Sequence, residues 1–325
     1  MKILTWHIHG NYLYYLSQSP HDFFLPVLPG RPPGYTGRSG SFPWGDNVHE
    51  VPADRVRHLP VDCVLYQSRR NWESDQYEIL SDSQLRGPRV YLEHDPPRQS
   101  PTDTRHPLDD PGVLLVHVTH FNDLMWDSGP VETRVIEHGV VVPSGVRYTG
   151  EIERGLVVVN NLVSRGRRLG YDLYSRTRQR VPLDLVGMNA DIAFGIGEIQ
   201  PDRLAAFVAR YRFLWNPIRY TSLGLAVCEA MMLGVPIVGL ATTEMSTVIE
   251  NGVSGYIDTD VERLIERMQG LLRDPDLARR LGEGARRTAM ERFSIERFGR
   301  DWDRTFTEVA GASGAHARTL HADPA

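Results

Sequence analysis

Cysteine is nearly missing from this chain. Cys63 and Cys228 are the only two in 325 residues, and each sits inside an apolar run. That excludes a disulfide framework or a cysteine-based zinc site, and both thiols are expected to be small core residues. Also missing is any apolar run approaching the ~20 residues that a membrane-spanning helix needs. With 41% hydrophobic and 24% charged residues, the chain reads as a soluble protein. The start, Met1-Lys2-Ile3-Leu4-Thr5-Trp6, enters a strand-like segment directly. It lacks the long apolar stretch and small-residue cleavage site of a secretory signal, so a cytoplasmic location is expected. There is no excess of positive charge. The formal net charge of −5 argues against a nucleic-acid surface, although Arg165, Arg167, Arg168, Arg176, Arg178 and Arg180 crowd one short stretch. That local excess calls for an anionic partner or for solvent. No internal repeat is present.

What is present is length enough for two domains and an alternation of short β-branched runs with longer amphipathic stretches, the pattern of βα units around parallel sheets. In the first half, strands are expected at Lys2 to Ile8, Val61 to Tyr66, Arg89 to Leu92, Leu114 to Val118 and Arg134 to Glu137. The Gly-, Pro- and aromatic-rich region from Pro20 to Pro60 reads as irregular loop. In the second half, strands are expected at Gly155 to Val159, Leu183 to Val186, Arg212 to Trp215, Pro236 to Leu240 and Gly255 to Ile257. Helices are expected at Leu169 to Arg178, Pro201 to Ala209, Leu225 to Leu233, Val261 to Arg273, Pro275 to Arg292 and Ile295 to Val309. Asp260, Asp274 and Ser294 stand at N-cap positions, where a side-chain oxygen accepts from first-turn amides. The domains are read as 1–147 and 148–310, with helix 295–309 able to pack back on the first, followed by a flexible tail over 311–325.

The most informative segment runs from Trp215 through Asn216-Pro217, Thr221 and Gly224-Leu225 to Glu229-Ala230-Met231 and Gly234-Val235-Pro236. A strand ends, a loop carrying Gly224 follows, and an apolar helix leads into another strand. Exposed amides and the positive end of the helix dipole make the start of that helix a site for a diphosphate, and Gly224 lets a phosphate approach the backbone. Glu229 lies about one turn into the helix, among Ala226, Val227, Cys228, Ala230 and Met231. An idle charge there is costly, and a carboxylate accepts well from the paired hydroxyls of a ribose.

These residues resemble the donor-site signature of the retaining family 4 glycosyltransferases. That family carries two glutamates separated by seven residues. Glu229 matches the second, and the first falls on Thr221, which bears no charge at the position the family places near the transferred sugar. Glu250-Asn251-Gly252-Val253-Ser254-Gly255-Tyr256 resembles the family's turn after the next helix, and Arg292-Phe293-Ser294 the start of its closing helix. Upstream, Val157-Val158-Val159-Asn160-Asn161-Leu162 resembles the first strand of its second domain. Asn161 takes the place of a family arginine, and the basic role passes to Arg165, Arg167 or Arg168, whose guanidinium fork suits a diphosphate. The fold implied is two Rossmann-like α/β domains facing a cleft, the glycosyltransferase-B architecture.

In the first half, Trp6-His7-Ile8-His9-Gly10-Asn11-Tyr12 resembles the family's first strand and glycine-containing loop. Gly10 permits close backbone approach, and His9, Gly10 and Asn11 are placed beyond the carboxyl ends of the strands. Tyr91-Leu92-Glu93-His94-Asp95 resembles a strand ending in a histidine at the cleft, Val118-Thr119-His120-Phe121-Asn122 the next strand and helix, and Arg134 to Val140 the closing strand. His94 is the leading polar contact of this half, with His120 behind it. A zinc site of His7, His9 and His94 lacks a supporting ligand spacing.

The expected function is transfer of a sugar from a nucleoside diphosphate sugar, by family frequency a uridine diphosphate sugar, to a glycan, lipid or small-molecule acceptor. Retention at the anomeric carbon, no metal and no further cofactor are implied by the resemblance. His94 and Thr221 are the catalytic candidates, and Gly10, Arg165, Arg168, Gly224, Leu225 and Glu229 the nucleotide-binding ones. Polysaccharide or glycolipid synthesis, with peripheral membrane contact, belongs to the same expectation. The rival readings are a non-catalytic nucleotide-sugar or glycan-binding protein and a sugar-nucleotide epimerase of the same fold.

Overall fold

The short apolar runs become strands because β-branched and aromatic side chains pack on both faces of a sheet whose neighbours are all parallel. A computed structural model describes residues 1–319, with side chains through residue 312. It divides into two units, residues 1–139 with 295 onward, and residues 140–294. The first crossing falls at Gly139/Val140, against the expected 147/148.

The first unit holds β1 (Lys2–Thr5), β2 (Asp22–Val27), β3 (Val48–Pro52), β4 (Cys63–Tyr66), β5 (Arg89–Glu93), β6 (Leu114–His117) and β7 (Thr133–Val135). They form one parallel sheet in the order β3-β2-β1-β4-β5-β6-β7. Its helices are α1 (Gly10–Leu16), α2 (Gln76–Ile79), α3 (Asp82–Leu85) and α4 (His120–Met125). Leu4, Trp6, Val64, Tyr66, Tyr91 and Leu115 fill a core on one face.

The expected loop from Pro20 to Pro60 is a correction. It contains β2 and β3, paired in register from Phe23↔Val48 to Val27↔Pro52. Pro26 inside β2, and the Gly- and Pro-rich residues between the strands, hid a segment whose Phe23 and Leu25 are wholly buried.

The second unit holds β8 (Ile152–Val158), β9 (Leu183–Val186), β10 (Tyr211–Asn216), β11 (Ile237–Leu240) and β12 (Gly255–Asp258), in the sheet order β12-β11-β10-β8-β9. Its helices are α5 (Leu162–Leu169), α6 (Tyr171–Thr177), α7 (Pro201–Val208), α8 (Leu225–Leu233), α9 (Met245–Val248), α10 (Val261–Arg273) and α11 (Pro275–Arg292). Leu185, Phe213, Trp215, Ile265, Met268 and Leu281 are central to its core. Asp260 accepts from the Glu262 amide and Asp274 from the Leu277 amide, so both caps form as expected.

The single helix expected from Leu169 to Arg178 is instead the end of α5 and all of α6, divided at Gly170. That residue has φ +84°, and a Cβ there would run into the carbonyl of Pro217.

The closing helix α12 (Ile295–Thr319) belongs to the first unit. Phe298, Trp302 and Phe306 are buried, and the Trp302 indole N–H donates to the Tyr12 hydroxyl at 3.2 Å. Residues 311–319 of the expected tail continue this helix, and 320–325 lie outside the described residues. Among the described residues, no helix is long and apolar enough to cross a membrane.

Arg212 shows how the second sheet holds a buried charge. Its side chain, 5% exposed, donates to the carbonyls of Gly150 at 2.9 Å, Leu272 at 2.9 Å and Leu271 at 3.3 Å. Arg212→Met is expected to strand these acceptors and cost about 2 kcal/mol. For a unit of this size that corresponds to a fall of roughly 4–8 °C in Tm, measurable by calorimetry.

Candidate functional site

Ligands of open parallel sheets bind beyond the carboxyl ends of the strands, where the strand order reverses. In the second unit that reversal lies between β8 and β10, which pair directly. The segments leaving these two strands are 159–168 and 217–229, so the topology brings Arg165 and Arg168 to the same end of the sheet as Thr221, Gly224, Leu225 and Glu229.

Gly224 is the N-cap of α8 with φ −73° and ψ 135°, and as a glycine it supplies no side-chain cap to the first turn. The Val227 amide turns back to the Gly224 carbonyl at 3.0 Å, and nothing lies within 4 Å of where a Cβ on Gly224 would stand. The helix start is therefore both electropositive and open. Leu225 is the first helical residue. Glu229, half-buried, is the one charged residue in Leu225–Leu233, where Val227, Cys228, Ala230 and Met231 are buried. A residue four places past the helix start lies about one turn along the same face. Thr221 is half-buried, and its hydroxyl makes no hydrogen bond among the described residues.

The loop carrying Thr221 is stapled to the segment carrying the arginines. The Arg219 guanidinium grips Asp172 at 2.6 and 2.7 Å and donates to the Arg167 carbonyl at 2.7 Å. The amides of Arg219 and Tyr220 both donate to the Arg168 carbonyl, at 3.0 and 3.3 Å. The hydrogen bond from Arg219 holds the Asp172 carboxyl below its usual range. A lowered carboxyl value stabilises the fold above the ordinary carboxylate range, and the contribution is lost as pH falls through the folded value. Arg219→Ala is accordingly expected to return Asp172 to a higher titration point by carboxyl NMR and to weaken nucleotide binding ~10-fold, because the loop loses its fixed geometry.

Lys2 is the single lysine, so every other fixed cation in the chain is an arginine. Within the basic stretch, Arg167 pairs with Asp172 at 2.8 Å and Arg176 and Arg180 both pair with Glu262. Arg178 lies over the rings of Tyr174 and Phe194, at 5.6 and 5.4 Å. Much of the crowded charge thus has an intramolecular partner, a fact hidden in sequence because Glu262 is more than eighty residues away. Arg168 carries no ion pair among the described residues. Arg165 lies in the first turn of α5, just before Gly166, whose φ of 57° and ψ of −140° break the helix.

In the first unit the strand order reverses between β1 and β4. His9 is the N-cap of α1 and its ring centre lies 4.2 Å from that of His94, which follows β5. Tyr12 meets His94 edge-on at 4.8 Å and His138 at 5.8 Å. Burial, reinforced by His9 and His138, holds His94 well below its ordinary value, so the ring is neutral at pH 7. Gln67, whose Oε1 stands 3.1 Å from His94 Nε2, was not legible as a member of this cluster, and neither were Tyr12 and His138, since no local motif marks them.

Gly10 begins α1, and the space left by its missing side chain is taken by the Phe42 ring, 2.9 Å from where a Cβ would stand. The space beside Gly10 is thus shared with one of the protein's own rings. His7 lies against the Gly37 carbonyl, 2.6 Å from Nδ1, and against Trp44 at 5.7 Å between ring centres. His120 is exposed at the start of α4. Among the described residues, no three His, Cys, Asp or Glu side chains converge to hold a metal ion.

Two parallel α/β units, with an open helix start and a carboxylate one turn along at the reversal point of the second, define the glycosyltransferase-B class. Residues 175–274, which include Thr221, Gly224, Leu225 and Glu229, match the family model described as glycosyl transferases group 1. The sequence resemblance to that group is therefore borne out.

A curated relative, N-acetyl-alpha-D-glucosaminyl L-malate synthase of Bacillus anthracis, is 32% identical over 90 residues, which are 27% of this chain and 24% of the relative. The matched stretch is thus about a quarter of that enzyme's length.

Among solved structures, sucrose-phosphate synthase of Thermosynechococcus elongatus superposes with TM-score 0.69 at 14% identity, covering 96% of this chain and 100% of its own. A glycosyltransferase of Rickettsia africae gives 0.65 at 14% identity, covering 95% and 98%. HepE of Anabaena, solved with UDP, gives 0.63 at 12% identity, covering 95% and 100%. At these identities the structures establish the shared fold.

Proposed function

We propose that the chain transfers a glycosyl unit, with retention, from a uridine diphosphate sugar to a hydroxyl of a glycan or lipid-linked acceptor. The observation that carries this reading is the open start of α8 with Glu229 one turn along, inside the segment that matches the group 1 family. The UDP in the Anabaena structure is the motive for naming uridine. The α8 amides and Arg165 and Arg168 meet the diphosphate, Leu225 supplies the first of those amides, and the Glu229 carboxylate accepts from the ribose hydroxyls. The bond from the anomeric carbon to the diphosphate breaks, and its electron pair leaves on a phosphate oxygen. The acceptor oxygen bonds to that carbon from the same face, and its proton leaves with the diphosphate. No metal takes part in this scheme, so the positive helix end and the arginines stabilise the developing charge. Thr221 offers a neutral hydroxyl to the transferred sugar, and within the first unit His94 is the residue read as a substrate contact.

Incubation with uridine and guanosine diphosphate sugars, with and without glycan or lipid acceptors, tests this. The expected result is release of nucleoside diphosphate and an α-configured product by NMR. Nucleotide-sugar binding with neither transfer nor hydrolysis would instead mark a binding protein, the reading that the uncharged Thr221 favours. Deuterium exchange into the sugar without an acceptor would mark an epimerase.

A further inference from the structure

Gln67 follows β4 at the reversal point of the first sheet and is 3% exposed. Its side-chain amide has unambiguous partners. Nε2 donates to the Trp6 carbonyl at 3.0 Å and to the Thr5 hydroxyl at 2.8 Å. A carbonyl only accepts, so this end of the amide must be the NH2 group. The Thr5 hydroxyl spends its own proton on the Leu65 carbonyl at 2.9 Å, which leaves it free to accept from Gln67. The remaining atom, Oε1, stands 3.1 Å from His94 Nε2. Oε1 cannot donate, so the hydrogen in that contact belongs to the imidazole. The two strands β1 and β4 thus hold a one-way chain of hydrogen bonds that ends on a histidine.

We propose that Gln67 is a positioning residue that fixes His94 as the Nε2–H tautomer and leaves Nδ1 to accept a hydrogen bond from a substrate hydroxyl. The proposal rests on the reading of His94 as a substrate contact of the first unit. The packing agrees with it. His94 lies between His9, Tyr12 and Gln67, with His138 beyond Tyr12, and Glu93 and Asp95 beside it in sequence. The Glu93 carboxylate is engaged elsewhere, accepting from the Asp95 amide at 2.8 Å and lying 3.2 Å from His106 Nε2. The Asp95 carboxylate is paired with Arg98. Among the described residues, the polar partner of the His94 ring nitrogens is the Gln67 oxygen, and an imidazolium would be left with a second N–H unmatched. A neutral ring with one defined donor and one defined acceptor suits hydrogen bonding to a sugar better than a cation does.

The test is nitrogen-15 NMR of histidine-labelled full-length protein, with assignment through His94→Phe, alongside kinetics of transfer. In the wild type, His94 is expected to be neutral at pH 7 with its proton on Nε2 alone. Gln67→Glu, nearly isosteric, places a carboxylate against the same N–H and should raise the His94 titration point by at least about one unit, because an opposite charge favours the imidazolium. Gln67→Met removes the acceptor, and should mix the tautomers and lower kcat by ~10- to 100-fold with donor KM little changed. A proton found on Nδ1, or a His94 spectrum unmoved by both substitutions, would overturn the inference. Because Gln67→Met empties a buried polar network, the wild-type spectrum and Gln67→Glu keep the test decisive even where that variant does not fold. An inactive wild type with the expected spectrum would strike the transfer reading alone.

Discussion

Glu229→Ala is expected to weaken uridine diphosphate binding by a few hundredfold in titration calorimetry while leaving the fold intact. A carboxylate holding both ribose hydroxyls makes two charge-assisted hydrogen bonds, each contributing ~1.5–3 kcal/mol. Losing both leaves two hydroxyls poorly paired at the mouth of an apolar helix, and ~3.5 kcal/mol is a factor of a few hundred. The effect on the fold is small because Glu229 is half-buried at the surface of α8 and alanine is the best helix former. Glu229→Gln keeps one acceptor oxygen and should fall between wild type and alanine. Affinity unchanged within a factor of three in the alanine variant would remove Glu229 from the site.

Gly224→Asp carries an opposite pair of expectations, which makes it the sharper test of the helix start. The residue sits at an N-cap with φ −73°, a conformation open to any side chain, and a Cβ there meets nothing within 4 Å. Aspartate is a better cap than glycine by a few tenths of a kcal/mol, since its oxygen accepts from the amides two and three residues on. Tm should therefore hold or rise by about a degree. Nucleotide binding should fall by at least ~100-fold, because the carboxylate occupies the amides meant for phosphate and repels it by roughly 4 kcal/mol per charge pair at 4 Å in a surface dielectric. A variant that is stabilised and still binds would show that the diphosphate is held elsewhere. A variant that loses both properties would show that Gly224 is required by the fold.

The second unit was the more legible in sequence, for a physical reason. Its helices are closed by local signals: Gly224 and Gly234 bracket α8, Asp260 opens α10, and Asp274 with Pro275 opens α11, so observed and expected limits coincide for these three. In the first unit the strands β2 and β3 are fixed by pairing with each other and with β1, and Pro26 and the glycines around them signalled a loop. The site divides in the same way. Gly224, Leu225 and Glu229 form a contiguous pattern with a mechanism attached. The Arg219–Asp172 staple joins residues 47 apart, and Gln67 meets Thr5 across 62, so nothing in the local sequence of either announces the contact. Gly10 shows the same limit, since the ring nearest it, Phe42, lies in a segment that sequence alone left unplaced.

A crystal structure of the protein soaked with uridine diphosphate is the most direct measurement. The pyrophosphate should rest on the amides of Leu225 and Ala226 with Arg165 or Arg168 against it, and both ribose hydroxyls should lie within 3 Å of the Glu229 carboxylate, as charge-assisted bonds require. Nucleotide bound away from the start of α8, or a ribose with no contact to Glu229, would contradict the donor site described above.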